Sequence, residues 1–224
     1  PAAGVYQGLF YDTNDVTLAS SGYLVLILRD DATFTATLQA GTERIVFTGQ
    51  FGGAGHAVAT QLGARSLTAE MQLDLAGRSD QLTGRVTDGA WKAMLLADRQ
   101  VFASSGGAPF AGNHNLVLQG QGTEDERALS DAESDHGGGR GTVRITGNGK
   151  LRFRGTLGEG VRLKQKSAVS KDGNWPFYVA VPRGRGVVIG WIQVSPSSSP
   201  AATGELLWLH EDGTVTSLAV TAAP

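Results

Sequence analysis

The 224-residue chain contains no cysteine, which excludes disulfides, thiolate metal sites and a cysteine nucleophile together and leaves the redox compartment open. It has no long apolar run, so no transmembrane helix is expected. Aromatic residues make up only 7%, and the chain ends Thr221-Ala222-Ala223-Pro224 without a terminal aromatic, which argues against an outer-membrane barrel with its aromatic girdles. Positive charge is not in excess: 19 basic against 21 acidic residues give a net charge of -2, which speaks against nucleic acid as an obligatory partner. Helix signals are also scarce. No stretch combines a 3.6-residue apolar period with a cap and a stop, although 125–134 has room for one helical turn. The chain begins at Pro1 with neither Met nor a basic-then-apolar leader, which reads as a module cut from a longer protein.

What is abundant is glycine. The 32 glycines fall between short runs of Val, Leu, Thr and Phe, as turns and strand ends do. Strand signals recur near 4–12, 22–30, 33–40, 43–52, 56–62, 66–76, 81–87 and 91–102, and again near 112–119, 140–147, 150–157, 161–170, 175–182, 186–195, 203–210 and 214–221. Asp88-Gly89, Asn148-Gly149, Asp172-Gly173 and Asp212-Gly213 supply the residues that tight type I′ hairpin turns require. Eight antiparallel strands in about 100 residues suit a small barrel, because closure removes exposed edges. The expected fold is therefore all-β: two tandem, about eight-stranded, antiparallel up-and-down barrel-like units related by internal duplication. Residues 1–102 form the first unit, 103–111 the linker and 112–224 the second unit, with one larger barrel or sandwich as the alternative.

The duplication is legible in the residues. Gly22, Phe34, Leu38 and Gly41 match Gly141, Phe153, Leu157 and Gly160 at one offset, Gly4 and Tyr6 pair with Gly112 and His114, and Thr83-Gly84 corresponds to Thr203-Gly204. The run Tyr23-Leu24-Val25-Leu26-Ile27-Leu28 is apolar on both faces and calls for cover on both. Contact between the two units is the expected cover, and lipid is the rival.

The clearest chemistry is electrostatic. Lys150, Arg152 and Arg154 alternate with Leu151 and Phe153, and Arg162, Lys164 and Lys166 alternate with Val161 and Leu163, so each basic set occupies one face of its strand. Paired through Gly158-Glu159-Gly160, the two strands would present a cationic patch widened by Arg140, Arg144, Arg183 and Arg185. Lys150, Arg152, Arg154, Arg162, Lys164 and Lys166 are the candidate ligand-binding set, for an anionic polysaccharide, a lipid head group or nucleic acid, with a surface protein as a further candidate partner of the chain. Charge runs are more often solvated faces, and an acidic loop at 123–136 offers a counter-charge. That loop, running from Glu124 to Asp135 and followed by His136, invites a calcium reading that its spacing does not support. Trp175-Pro176-Phe177-Tyr178, with Trp191 and Trp208, would be either core or a sugar-stacking platform. The histidines His56, His114, His136 and His210 lack metal-ligand spacing. Neither a nucleophile elbow nor a phosphate loop occurs, and paired carboxylates are invisible at this level. The chain reads as no enzyme, with no cofactor and no metal.

Several segments resemble a known module: Gly4-Val5-Tyr6-Gln7-Gly8-Leu9-Phe10, Ser21-Gly22-Tyr23, Phe47-Thr48-Gly49-Gln50-Phe51, Leu82 to Trp91, and Ser170 to Pro176. Together they are similar to a duplicated β-rich module found in C-terminal parts of large secreted bacterial proteins, beside immunoglobulin-like or repeat domains. The resemblance implies neighbouring domains and an extracellular or bacterial cell-surface location, with a role in adhesion, ligand capture or structural display, and it carries no catalytic residue. The acidic insertion departs from it. In architecture, paired small barrels are also similar to bacterial surface lipoproteins that capture host proteins. Binding of anionic glycan or lipid and polysaccharide hydrolysis are the alternative functions.

Overall fold

The computed structural model describes residues 2–61, 66–77, 79–103, 107–120, 138–196 and 200–222. The chain divides into two compact units, Pro1–Val101 and Phe102–Pro224. The first holds β1 (Gly4–Tyr11), β2 (Ser21–Leu28), β3 (Thr33–Ala40), β4 (Glu43–Gln50), β5 (His56–Gln61), β6 (Leu67–Leu73), β7 (Gln81–Thr87) and β8 (Lys92–Arg99). The second holds β9 (Gly112–Gly120), β10 (Gly139–Ile145), β11 (Lys150–Leu157), β12 (Arg162–Ala168), β13 (Asn174–Ala180), β14 (Val187–Val194), β15 (Ala202–Leu209) and β16 (Val215–Ala222). The only helical pieces among the described residues are two single 3-10 turns, Gly158–Gly160 and Pro182–Gly184. The all-β, duplicated, barrel-like architecture is thus present.

Each sheet is an antiparallel meander joined across its own ends, with order β4-β3-β2-β1-β8-β7-β6-β5 in the first unit and β12-β11-β10-β9-β16-β15-β14-β13 in the second. The first and last strands of each unit pair, β1 with β8 and β9 with β16, so each unit is joined through its own two ends. The remaining opening lies between the two middle strands, β4 and β5 or β12 and β13, which touch but stand at opposite ends of the ladder. Period-two alternation then fills each interior. Phe10, Leu24, Leu26, Phe34, Leu38, Phe47, Met71 and Leu82 pack in the first; Leu118, Val143, Phe153, Trp175, Phe177, Val188, Ile192 and Leu206 pack in the second. Phe110, in the segment expected as a linker, is buried in the second core and meets Phe102 edge-on. Along β2 the inward Leu24, Leu26 and Leu28 are buried, whereas outward Tyr23 is buried, Val25 half-buried and Ile27 exposed.

Three of the four expected Asn-Gly and Asp-Gly turns, those at Gly149, Gly173 and Gly213, depart from expectation in the same way. Gly149 N–H donates to the Thr146 carbonyl at 2.8 Å and Thr146 N–H to the Lys150 carbonyl at 2.9 Å, and the same pair of bonds recurs at Arg29–Thr33, Gly52–His56, Ser170–Asn174 and His210–Thr214. Only the fourth residue of each turn has positive φ, namely Ala32, Gly55, Gly149, Gly173 and Gly213. These are type I turns closed by a left-handed residue, not type I′ turns, which need positive φ at both central positions.

Those shared bonds also fix how the copies correspond. Arg29–Thr33 superposes on Thr146–Lys150, and the Phe51-to-Ala32 bond has its twin in Val169-to-Gly149. Ala36 therefore stands where Phe153 stands, and Leu24 and Leu38, a register pair, where Gly141 and Gly155 form a register pair. The sequence match of Phe34 to Phe153 was two residues out of step. The reason is a volume exchange: a Cβ on Gly141 or Gly155 would lie 2.4 or 2.5 Å from the Phe153 ring. The ring fills the space that two leucines fill in the other copy.

Candidate anion-binding face

Three adjacent strands of the second unit build the face. Along the body of β10, β11 and β12 buried positions alternate with exposed ones: Val143 and Ile145, Leu151 and Phe153, Leu163 and Gln165 point inward. The opposite phase brings Arg140 and Arg144, then Lys150, Arg152 and Arg154, then Arg162, Lys164 and Lys166 to the outside, all exposed. The six basic residues singled out from sequence thus lie on one surface, with Arg140 and Arg144 extending it. Arg183 and Arg185 sit on the β13–β14 connection instead and do not join these strands.

Register places like charges opposite one another. Arg144 pairs with Arg152, Arg152 with Lys166, and Arg154 with Lys164. Neighbouring strands stand about 4.8 Å apart and alternate residues about 6.6 Å apart along a strand, so the cations form a close grid. Each direct like-charge pair costs the sheet a few tenths of a kcal/mol. None of the eight makes an ion pair among the described residues, where the salt bridges are His56–Glu70, Arg85–Glu70 and Arg99–Asp80. A groove of about 270 Å³ opens between Arg152, Arg154, Lys164 and Lys166, floored by Phe153 and Gln165. Exposed Thr142, Thr156, Asn113 and Asn115 lie among or beside the cations, because Asn113 is in register with Arg144 and Asn115 with Thr142.

The first unit shows what this surface looks like without the charge. By the turn correspondence, Arg144 takes the place of Ile27, while Lys150, Arg152 and Arg154 take those of Thr33, Thr35 and Thr37; Lys164 and Lys166 replace Val46 and Thr48. Only Arg162 meets a basic counterpart, Arg44. The barrel therefore forms with a neutral surface at the same strands, and the cations are not required by the fold.

The remaining sequence candidates resolve differently. Trp175 and Phe177 are fully buried and Trp208 nearly so, with Trp175 and Phe177 packed on Phe153 at 5.7 and 5.1 Å between ring centroids. These three are core rather than a sugar platform, whereas Trp191, on β14, is half-buried and outside the core cluster. Among the described residues no group of His, Asp and Glu is arranged to hold a metal ion. The acidic loop, its candidate helical turn, its calcium reading and His136 lie outside the described residues.

One feature of the second unit escaped sequence reading. Gln165 is buried on the inward phase of β12. It accepts a hydrogen bond from Trp175 Nε1 at 2.8 Å, and its Nε2 donates to the Pro176 carbonyl at 2.8 Å. Proline has no N–H to offer a ladder and is confined to edge strands. The side-chain clasp thus joins β12 to β13 where the ladder is interrupted. A polar residue on the apolar phase, between Leu163 and Ser167, was the available signal.

No protein-family model matches the chain, and no characterised protein matches its sequence. Among solved structures, a protein of unknown function from the DUF3598 family of Nostoc punctiforme is 12% identical over 98% of this chain and 94% of that one, at a TM-score of 0.32. A double mutant of the vaccine antigen transferrin binding protein B from Haemophilus parasuis is 13% identical over 98% of this chain and 44% of that one, at a TM-score of 0.28. A single mutant of the same antigen is 11% identical over 97% of this chain and 45% of that one, at 0.27. Likenesses of this size assign neither family nor role. Among the described residues no helix is long and apolar enough to cross a membrane.

Proposed function

We propose that the chain is a non-catalytic binding module of a larger secreted or cell-surface bacterial protein, and that its second unit captures an anionic ligand on the outer face of β10–β12. The observation that carries this reading is the contrast between copies: eight exposed cations without carboxylate partners among the described residues, on strands whose counterparts are neutral at all but one of the matching positions compared above. Like charges in register oppose folding, so their retention is best accounted for by an external counter-charge. The basic groups are spread over an open sheet face rather than gathered in an enclosed pocket, which suits holding a ligand rather than transforming it.

Retention of the whole chain on a sulfonate matrix tests the proposal. Binding at low ionic strength should be eluted steeply by salt, and the triple reversal R152E/R154E/K164E should abolish it. A control with the same change in net charge, R29E/R44E/K92E on exposed positions of the first unit, should leave most of the retention in place. Equal loss in both variants would reduce the effect to net charge and sink the proposal.

A further inference from the structure

The make-up of the face narrows the ligand further, and this step rests on the anion-capture reading above. We infer that the ligand is a linear anionic glycan lying along the strands, in the trough between β11 and β12.

The direction follows from the arrangement of charge. Lys150, Arg152 and Arg154 form one row and Lys166, Lys164 and Arg162 a second, antiparallel to it, with the groove between them at its centre. Each row repeats at about 6.6 Å, and the trough is roughly one strand spacing wide. A compact anion would touch only one square of four cations. A chain carrying an anionic group every few ångströms engages both rows along their length.

The chemistry follows from what surrounds the cations. Binding of single-stranded nucleic acid uses aromatic platforms for the bases, and duplex readout needs an element that enters a groove. The outward positions of β10–β12 are Arg, Lys and Thr up to Ala168 at the strand end, and the nearest aromatic, Phe153, is buried beneath them. A membrane surface would be met by exposed large apolar side chains around the basic patch. In the second unit the exposed large hydrophobic residue among those described is Val215, on β16 and away from these strands. Instead, Thr142, Thr156, Asn113 and Asn115 place neutral hydrogen-bonding groups among or beside the cations, and these suit sugar hydroxyls. Arg further provides paired N–H donors for sulfate or carboxylate oxygens.

The test compares three probes on the full chain by direct binding at fixed ionic strength: sulfated oligosaccharides of increasing length, an oligothymidylate, and phosphatidylcholine vesicles containing phosphatidylglycerol. Affinity for the sulfated series should climb with each anionic group until the trough is filled. With about six contacts it should fall roughly a thousandfold between about 50 and about 200 mM salt. The neutral variant N113A/N115A/T142V/T156V should weaken glycan binding several-fold while leaving that salt slope unchanged. Binding of the oligothymidylate or vesicles as tight as that of the glycan at matched charge would overturn the glycan assignment and leave anion capture standing. Saturation by a single sulfate group would overturn the lengthwise trough. Failure of every probe at low salt would remove anion capture itself, and this inference with it.

Discussion

The seam of the second unit can be broken and repaired by side-chain changes alone. Trp175 is fully buried, and its indole N–H has its partner in Gln165, which also serves the Pro176 carbonyl. Replacing Gln165 with Leu keeps the volume but strands both groups. Leaving a buried donor or acceptor unsatisfied costs about 1–3 kcal/mol each, so Q165L should lose about 2–6 kcal/mol. For a domain of about 100 residues, each kcal/mol moves the midpoint by roughly 4 °C, giving a drop of roughly 8–24 °C in the second unit's transition. Trp175→Phe removes the donor and strands the Gln165 oxygen. The double variant Q165L/W175F leaves only the Pro176 carbonyl without its partner. It should therefore be more stable than the sum of the single effects by about 1–3 kcal/mol, the coupling expected of groups in direct contact. Calorimetry with circular dichroism reads all four proteins. Additive losses, or a Q165L cost below about 0.5 kcal/mol, would refute the clasp as what holds β12 to β13.

The volume exchange between copies gives a second expectation. Phe153→Ala should cost about 3–5 kcal/mol by opening a cavity, Gly155→Leu should be destabilising because its Cβ would meet the Phe153 ring at 2.5 Å, and F153A/G155L, which restores the Ala36–Leu38 arrangement, should unfold in denaturant closer to wild type than either. A third concerns acid. Asp74 accepts hydrogen bonds from the Ser79 hydroxyl and from the backbone N–H groups of Gly77, Ser79 and Ala76, which together hold its carboxyl at about 2, below the ordinary 3.8. A lowered folded-state value means stability that is fully present above 3.8 and is lost as pH falls toward about 2. Asp74→Ala should flatten the first unit's stability between those values, and an unchanged acid limb would contradict the assignment.

The strand framework was legible because both of its signals are local. Alternation in Arg152-Phe153-Arg154 sets the inward face, and glycines mark the turns. Turn type was not legible from Asn-Gly or Asp-Gly alone. Glycine tolerates positive φ in either geometry, and it is the hydrogen bonds one residue further out that decide. The duplication was recognised but slipped by two residues, since Phe153 and its two facing glycines mimic a match to Phe34 that packing does not support. The basic rows were legible as one-sided strands. Their like-charge register, and the neutrality of the corresponding first-unit surface, needed the sheet order.

Edge protection accounts for part of this charge. Charged side chains, Lys especially, blunt the pairing of edge strands, and β12 ends its ladder. The same argument does not reach β10 or β11, which are paired on both sides yet carry Arg140, Arg144, Lys150, Arg152 and Arg154. Edge protection gives no account of those five charges, and they are the ones the proposed ligand would engage.

Amide shifts recorded while a sulfated oligosaccharide is titrated into the isotopically labelled chain test the central claim most directly. Saturable, salt-sensitive changes should map to Arg140–Arg144, Lys150–Thr156 and Arg162–Lys166, with Ser21–Leu28, Thr33–Ala40 and Glu43–Gln50 of the first unit unmoved. Changes spread equally over both units, or confined to strands other than β10–β12, would contradict it.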